Sequence, residues 1–323
     1  MKLISEKLNK LFFHKLSKYF FVSIIIAISY WIAVIYSFEN SISKTMIIES
    51  KNIEDIITKK MNHTKKVMEL MISEIIKNPQ DTESIDKILQ NYQTKPQFRS
   101  SMSWTIFSWT NNDNQIIVDT KYRIMKKPFD LSNRDYIKKS SKNPGKFFIG
   151  EPVYGSTSKK WMIPGGIGVF LNKEYIGSIT IGFEIEILAD IVKRELSDSN
   201  ITFYFISSEG RPIFYTKLNE AKACNYFDNA LMLPDQIGYA YENIKHFSKE
   251  DKFLIKIFGK RRNAIYAMKT EEYPFVIIAQ YDKNALEKQF SKYLIKSLKL
   301  AFLLVMITIM GIISYKSFKN ERK

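Results

Sequence analysis

A single cysteine, Cys224, stands among 323 residues, so no disulfide can form within the chain. The three histidines, His14, His63 and His246, lie far apart and form no H-E-x-x-H pattern, which argues against a zinc site. No G-x-x-x-x-G-K-[ST] and no G-x-S-x-G occurs, and Gly-Gly-Ile-Gly at 165–168 is not a dinucleotide fingerprint. It reads as a tight turn or a strand irregularity. The chain therefore reads as a non-enzyme, with no catalytic residue, no metal and no cofactor. Acidic residues are in deficit too: 33 Asp and Glu face 49 Lys and Arg, for a formal net charge of +16. A basic chain suits nucleic acid, an anionic membrane or acidic ligands. The same balance also follows from the abundance of Lys, Ile and Asn expected of an A+T-rich genome.

Charge is absent altogether from two stretches. Tyr19 to Phe38 is twenty residues long, enough at ~1.5 Å per residue to cross a hydrocarbon core of ~30 Å. It is longer than the apolar part of a signal peptide, and no small-x-small cleavage site follows, so it reads as an uncleaved anchor. Leu300 to Tyr315 is sixteen residues long, with Lys299 and Lys316 placed to snorkel from its ends. A buried core helix is the alternative there, but a segment uncharged on every face favours a span. Residues 1–18 carry five lysines against one glutamate, and 39–53 only Lys44 and Lys51, which places both termini in the cytoplasm. The expected layout is a basic tail 1–18, a transmembrane helix 19–38, an extracytoplasmic region 39–299, a transmembrane helix 300–315 and a basic tail 316–323, in a bacterial inner membrane. With the large basic region outside the cytoplasm, nucleic acid is not an expected partner; the lipid bilayer is.

No glycine or proline interrupts the chain between the first span and Pro79. Met46, Ile53, Ile57, Met61, Thr64, Met68, Met71 and Ile75 recur at helical spacing, which predicts one long amphipathic helix over 41–78. Its stripe must be buried against its own domain or against a copy of itself, and a parallel homodimer is expected. A short helix follows from Thr82, capped by Thr82 or Asp81. From Met102 the pattern changes to strands: Trp-Thr-Ile-Phe-Ser-Trp-Thr, Ile-Ile-Val-Asp-Thr, the 145–155 segment, the 159–170 segment and the 171–185 segment. They make five antiparallel strands, with a small helix at 132–142, capped by Ser132 or Asn133, crossing over them. A helix at 186–196 leads into a weaker second copy, with strands at 201–216, a helix at 219–232, and three strands in 251–282. The fold class is α+β: the long helix, a membrane-distal module at 98–185, a membrane-proximal module at 186–282, and a helix 283–299 running into the second span.

The stretch Phe-Asp-Leu-Ser-Asn-Arg-Asp-Tyr at 129–136, with Ile-Gly-Glu-Pro-Val at 149–153, Lys160-Trp161 and the 177–184 strand, resembles the double-Cache (PAS-like) extracellular sensor domain. That family serves bacterial diguanylate cyclases, chemoreceptors and histidine kinases. The resemblance covers 39–299, with specific motifs only in 129–185. It implies a ligand pocket in the distal module, between the sheet and its crossover helix. In amino-acid binders of the family, an arginine on that helix holds the carboxylate and an aspartate on the last strand holds the amine. Arg134 matches the arginine, Glu184 falls at the aspartate, Tyr136 falls where many binders have tryptophan, and Trp161 matches the Lys/Arg-Trp strand. An aspartate usual on the middle strand has no counterpart near Tyr154 and Gly155.

Read as residues alone, the same four positions stay open. Arg134 is a structural ion pair or a carboxylate anchor. Tyr136 and Trp161 are core rings or pocket walls. Glu184 points outward, or inward with a partner. An aromatic box with one cation and one anion suits a small zwitterion or amine. The expectation is a membrane sensor for an amine or amino-acid-like small molecule. Eight residues past the second span are too few for an output domain, so signalling to a separate protein, or loss of the output, is expected. The other reading is a structural or interaction protein of the envelope, a sensor fold that no longer signals.

Overall fold

The computed structural model describes residues 2–94, 104–155, 158–196, 200–216, 235–245, 253–257 and 263–321. The chain divides into two compact units, Met1–Thr45 with Ile257–Asn263 and Asp282–Lys323, and Met46–Lys256 with Ala264–Tyr281.

The first unit is helical. Helix α1 runs over Lys2–Ile75 and helix α6 over Lys283–Glu321. Each is long and apolar enough to cross a membrane. Phe21 and Phe302 are each 68% exposed, and Ile25, Ile32, Ile307 and Met310 are also exposed. Rows of bare apolar side chains on the charge-free segments of these helices suit contact with lipid. Just past the first apolar run, Phe38 is buried and packs on Phe290 at 5.6 Å and Tyr293 at 5.2 Å between ring centroids.

The second unit holds the rest of α1 and two antiparallel sheets. The stripe predicted from spacing is there: Met46, Ile53, Ile57, Met61, Thr64, Met68, Met71 and Ile75 are all buried. They are buried within their own chain, so the stripe offers no face to a twin, which corrects the basis on which a homodimer was expected. Helix α2, Thr82–Thr94, is capped by Asp81, whose Oδ1 accepts from the backbone N–H groups of Glu83 and Ser84, each at 3.1 Å.

The first sheet has seven strands rather than five. They are β1 (Trp104–Thr110), β2 (Gln115–Asp119), β3 (Arg123–Asp130), β4 (Phe147–Ile149), β5 (Val153–Tyr154), β6 (Trp161–Leu171) and β7 (Glu174–Glu184). The order is β3-β2-β1-β7-β6-β4, with β5 also on β6. Strand β3 is the added edge. It carries Lys126, Lys127 and Pro128, residues that blunt an edge and hide a strand from pattern reading. The segment read as one strand at 145–155 is two, broken at Glu151-Pro152. Gly165, Gly166 and Gly168 lie inside β6, not in a turn.

The crossover helix α3 covers Asp135–Ser140, with Arg134 rather than Ser132 or Asn133 at the N-cap position. Ser132 serves the preceding turn instead, donating through N–H and Oγ to the Asp130 carboxylate. Helix α4, Ile185–Glu195, contacts β6 and β7 and also β9 of the second sheet.

That second sheet contains β8 (Ile201–Ser207), β9 (Pro212–Thr216), β10 (Phe253–Ile257), β11 (Asn263–Lys269) and β12 (Phe275–Tyr281), ordered β10-β11-β12-β8-β9. The helix expected at 219–232 lies outside the described residues. Helix α5, Asp235–Lys245, packs Ile237, Ala240, Tyr241 and Ile244 on Ile206, Ile265, Val276 and Ile278.

Candidate functional site

The distal module holds a cavity of about 90 Å³, partly open to solvent, between α3 and the β1–β7–β6 face of the sheet. Cross-strand pairing sets its floor. Ile106 pairs with Gly182 and Ser108 with Thr180, so these side-chain positions share one face with Pro164, which pairs with Gly182 from the other side. Ser108 and Thr180 put two hydroxyl groups into an otherwise apolar floor.

Tyr136 is the roof. It projects from α3 and is 6% exposed. The ring lies so close to Gly150 and Gly166 that a Cβ at Gly150 would meet it at 2.6 Å. Helix α3 comes equally close to β6 at Gly168, where any Cβ would collide with the Ser140 carbonyl oxygen. Burial pushes the Tyr136 phenol well above its ordinary value, and the neighbouring Arg134 charge pulls it partly back. The hydroxyl therefore stays protonated near neutral pH, with a proton to donate.

Arg134 lines the same cavity, is exposed, and makes no ion pair among the described residues. Its backbone is spent on α3, accepting from the N–H groups of Ile137 and Lys138. The guanidinium is thus the cationic end of the cavity, close enough to Tyr136 for its charge to act on the phenol.

The other two expected residues do not line this cavity. Glu184 is buried, at 4% exposure, and its carboxylate forms an ion pair with Lys160. It lies on the cavity face of β7, one pair beyond Gly182 and opposite Met162. The Met162 side chain lies over Gly182 and Gly155, so close that a Cβ at either glycine would meet it. The thioether occupies the end of the cavity on the Glu184 side. Trp161 is half-buried and stands edge-on to Tyr154 at 5.4 Å; of that pair, Tyr154 is the one that lines the cavity.

Ser108, Thr180, Tyr154, Phe129 and Met162 were not picked out from the sequence. Phe129 sits on the unrecognised β3. Ser108 and Thr180 look like ordinary polar positions until β1 and β7 are paired.

No family model matches the sequence, and no curated protein matches it. Solved structures do match. The ligand-binding domain of the Campylobacter jejuni chemoreceptor Tlp3, in complex with L-valine, aligns over 78% of this chain and 97% of its own, with a TM-score of 0.56 at 13% identity. The fold is that of a Cache-type sensor domain. The ligand-binding domain of the Pseudomonas fluorescens chemoreceptor CtaA, in complex with L-isoleucine, aligns over 80% of this chain and 97% of its own, with a TM-score of 0.55 at 11% identity. The extracellular domain of a putative histidine kinase covers 77% and 97%, with a TM-score of 0.55 at 14% identity. These neighbours are sensory domains rather than enzymatic ones. At such identities the likeness is one of fold.

Proposed function

We propose that this Cache-type protein is a two-pass inner-membrane sensor that binds a small amino-acid-like or amine ligand in its distal module. The observation that carries the reading is the pairing of Arg134, a guanidinium with no ion pair among the described residues, with a partly open cavity roofed by Tyr136, whose hydroxyl stays protonated. A ligand carboxylate takes the bidentate guanidinium, and its ammonium group lies toward Ser108, Thr180 and the face of Tyr154. The neighbours named with L-valine and L-isoleucine support an amino-acid-like ligand. A cavity of about 90 Å³ with Met162 across its end favours the smallest members of that class. Glu184, held by Lys160, and Trp161, behind Tyr154, bound the site from outside its lining. Binding favours one conformation of the distal module, and the shift reaches a separate signalling protein through the helices that enter the membrane. A dimeric assembly belongs to the same proposal, through surfaces other than the α1 stripe.

A scaffold role in the envelope is the second reading. It is favoured by the Glu184–Lys160 pair and by Met162, which together satisfy one end of the site without a ligand. The test is thermal unfolding of the full chain in lipid nanodiscs with glycine, alanine, serine and small primary amines. Under the sensor reading at least one of them raises Tm, and Arg134→Ala removes the shift while keeping the Tm of the unliganded protein within a few degrees. If no compound shifts the wild type, or the same shift survives in Arg134→Ala, the sensor reading fails at this site.

A further inference from the structure

A second and larger cavity, about 580 Å³ and partly open to solvent, lies between the distal and proximal modules. Its distal wall is β4, the short edge strand, where Phe147, Phe148 and Ile149 are large, apolar and only half-buried. Its proximal wall is the turn between β11 and β12, with Tyr273 and Phe275, joined by Tyr241 of α5. The two walls touch where Phe147 meets Tyr273 edge-on, at 6.2 Å between centroids. The volume falls within the ~300–1,000 Å³ usual for small-molecule sites.

The hydroxyl protons on these walls are committed within the protein. Thr270 donates to the carbonyls of Tyr273 and Phe275, and Tyr273 to the Asn62 side chain of α1 at 2.8 Å. Tyr241 donates to the Ser208 carbonyl at 3.0 Å, and the Ser208 hydroxyl to Glu151 at 3.4 Å. Glu272 accepts from Asn62 at 2.8 Å, and Lys269 has a partner of its own. Charge of one sign does not prevail either. Lys139 and Lys269 line the cleft together with Glu272. Burial raises the Tyr241 phenol, and Glu242, Glu151 and Glu209 add to the rise, so acidic groups reach this wall as well. Charges of both signs around one space leave little net field to select an ion, and an ion would still have to shed its water to enter. What the cleft offers a ligand is ring surface, from Phe147, Tyr241, Tyr273 and Phe275. Rings meet other rings edge-on or offset more favourably than they meet saturated carbon.

We propose that this inter-module cleft is a second ligand site, separate from the distal cavity, that takes a small uncharged aromatic molecule of one or two fused rings. The ring lies against Phe147 on one side and the Tyr273 wall on the other. An occupant touches both modules at once, so it resists any change in their mutual packing. The cleft is thereby a second input, whatever the distal cavity binds.

Isothermal titration of the full chain in nanodiscs, with the heat of empty nanodiscs subtracted, tests it. Phenol and indole are compared with cyclohexanol, benzoate and phenethylamine. At least one of the two uncharged aromatics should bind saturably at one site per chain, at least tenfold tighter than each of the other three. Phe147→Leu keeps an apolar side chain and removes a ring; it should weaken binding at least fivefold. Pro274→Trp, at an exposed turn position on the cleft wall, should fill the space and abolish binding. Lys139→Gln should leave binding within twofold, because charge does not hold the ligand. Arg134→Ala should do the same, because the distal cavity is a separate site. No saturable binding of phenol or indole overturns the proposal. So does equal binding of cyclohexanol, benzoate or phenethylamine, undiminished binding in both Phe147→Leu and Pro274→Trp, or loss of binding in Lys139→Gln or Arg134→Ala.

Discussion

Glu151, in the break between β4 and β5, holds a carboxylate across to the proximal module. Its Oε1 accepts from Ser208 Oγ at 3.4 Å and the Ser207 hydroxyl also bonds it, while Oε2 is buried with no hydrogen-bond partner. Burial, with a smaller push from Glu209, raises its pKa above the ordinary 4.5, and the serines and Arg211 offset this only in part. A raised carboxylate pKa means that the folded chain holds this proton more tightly than the unfolded one. Stability is therefore lost as pH climbs from the ordinary value through the raised one, and it stays lost above. Glu151→Gln keeps the acceptor for the serines and removes the charge. It should raise Tm at pH 7 relative to wild type, with the difference closing below about pH 4. An unchanged or lower Tm at pH 7 would rule out this account. At the same scale, Arg134 and Tyr136 were legible because a local motif carries them. The engagement of Glu184 with Lys160 was not, since it depends on which strands pair.

Among the elements, α3 shows most clearly how close packing shapes the distal site. It can rest on β6 only because Gly168 has no side chain beneath the Ser140 carbonyl. Gly168→Ala forces the helix outward or strains it, a cost of about 1–3 kcal/mol for overpacking. The expected result is a Tm lowered by several degrees and a weakened response to any distal ligand, read in one thermal-shift series; a Tm equal to wild type would show that the helix yields freely. The sequence places these glycines in a strand, as a turn or an irregularity, but the close approach to α3 involves a second element that periodicity does not name. Strand β3 escaped for another reason: an exposed edge strand with Pro128 has no alternation to read. Helix α5 carries a clean 237, 240, 241, 244 spacing on its buried face, but Gly238 and the short span weaken it as a helix signal.

For the whole molecule, the charge on 1–18 and the two apolar helices predict that both tails are cytoplasmic and the Cache modules periplasmic. Alkaline phosphatase fused after Asn200 should be active in cells, and the same enzyme fused to the N-terminus inactive. The reverse pattern would invert the topology and remove the sensor from the compartment proposed for its ligand. Phe38 packed against Phe290 and Tyr293 joins α1 to α6 just beyond the first apolar run, where a displacement of either helix is felt by the other.

What the sequence determined by itself is what depends on local order along the chain. The charge-free runs, the buried stripe of α1 and most strands follow from polarity at fixed periods, and the Asp130-to-Tyr136 motif from adjacent residues. What only the tertiary structure decided is what depends on neighbours far apart in the chain. Met162 shortens the distal cavity because β6 pairs with β7 in one register, and Glu184 is neutralised by Lys160 in that same register. The inter-module cleft exists because the edge strand β4 and the β11–β12 turn, more than a hundred residues apart in the sequence, face one another. Pairing register and module packing are set by the summed burial of many side chains, and no single segment encodes them.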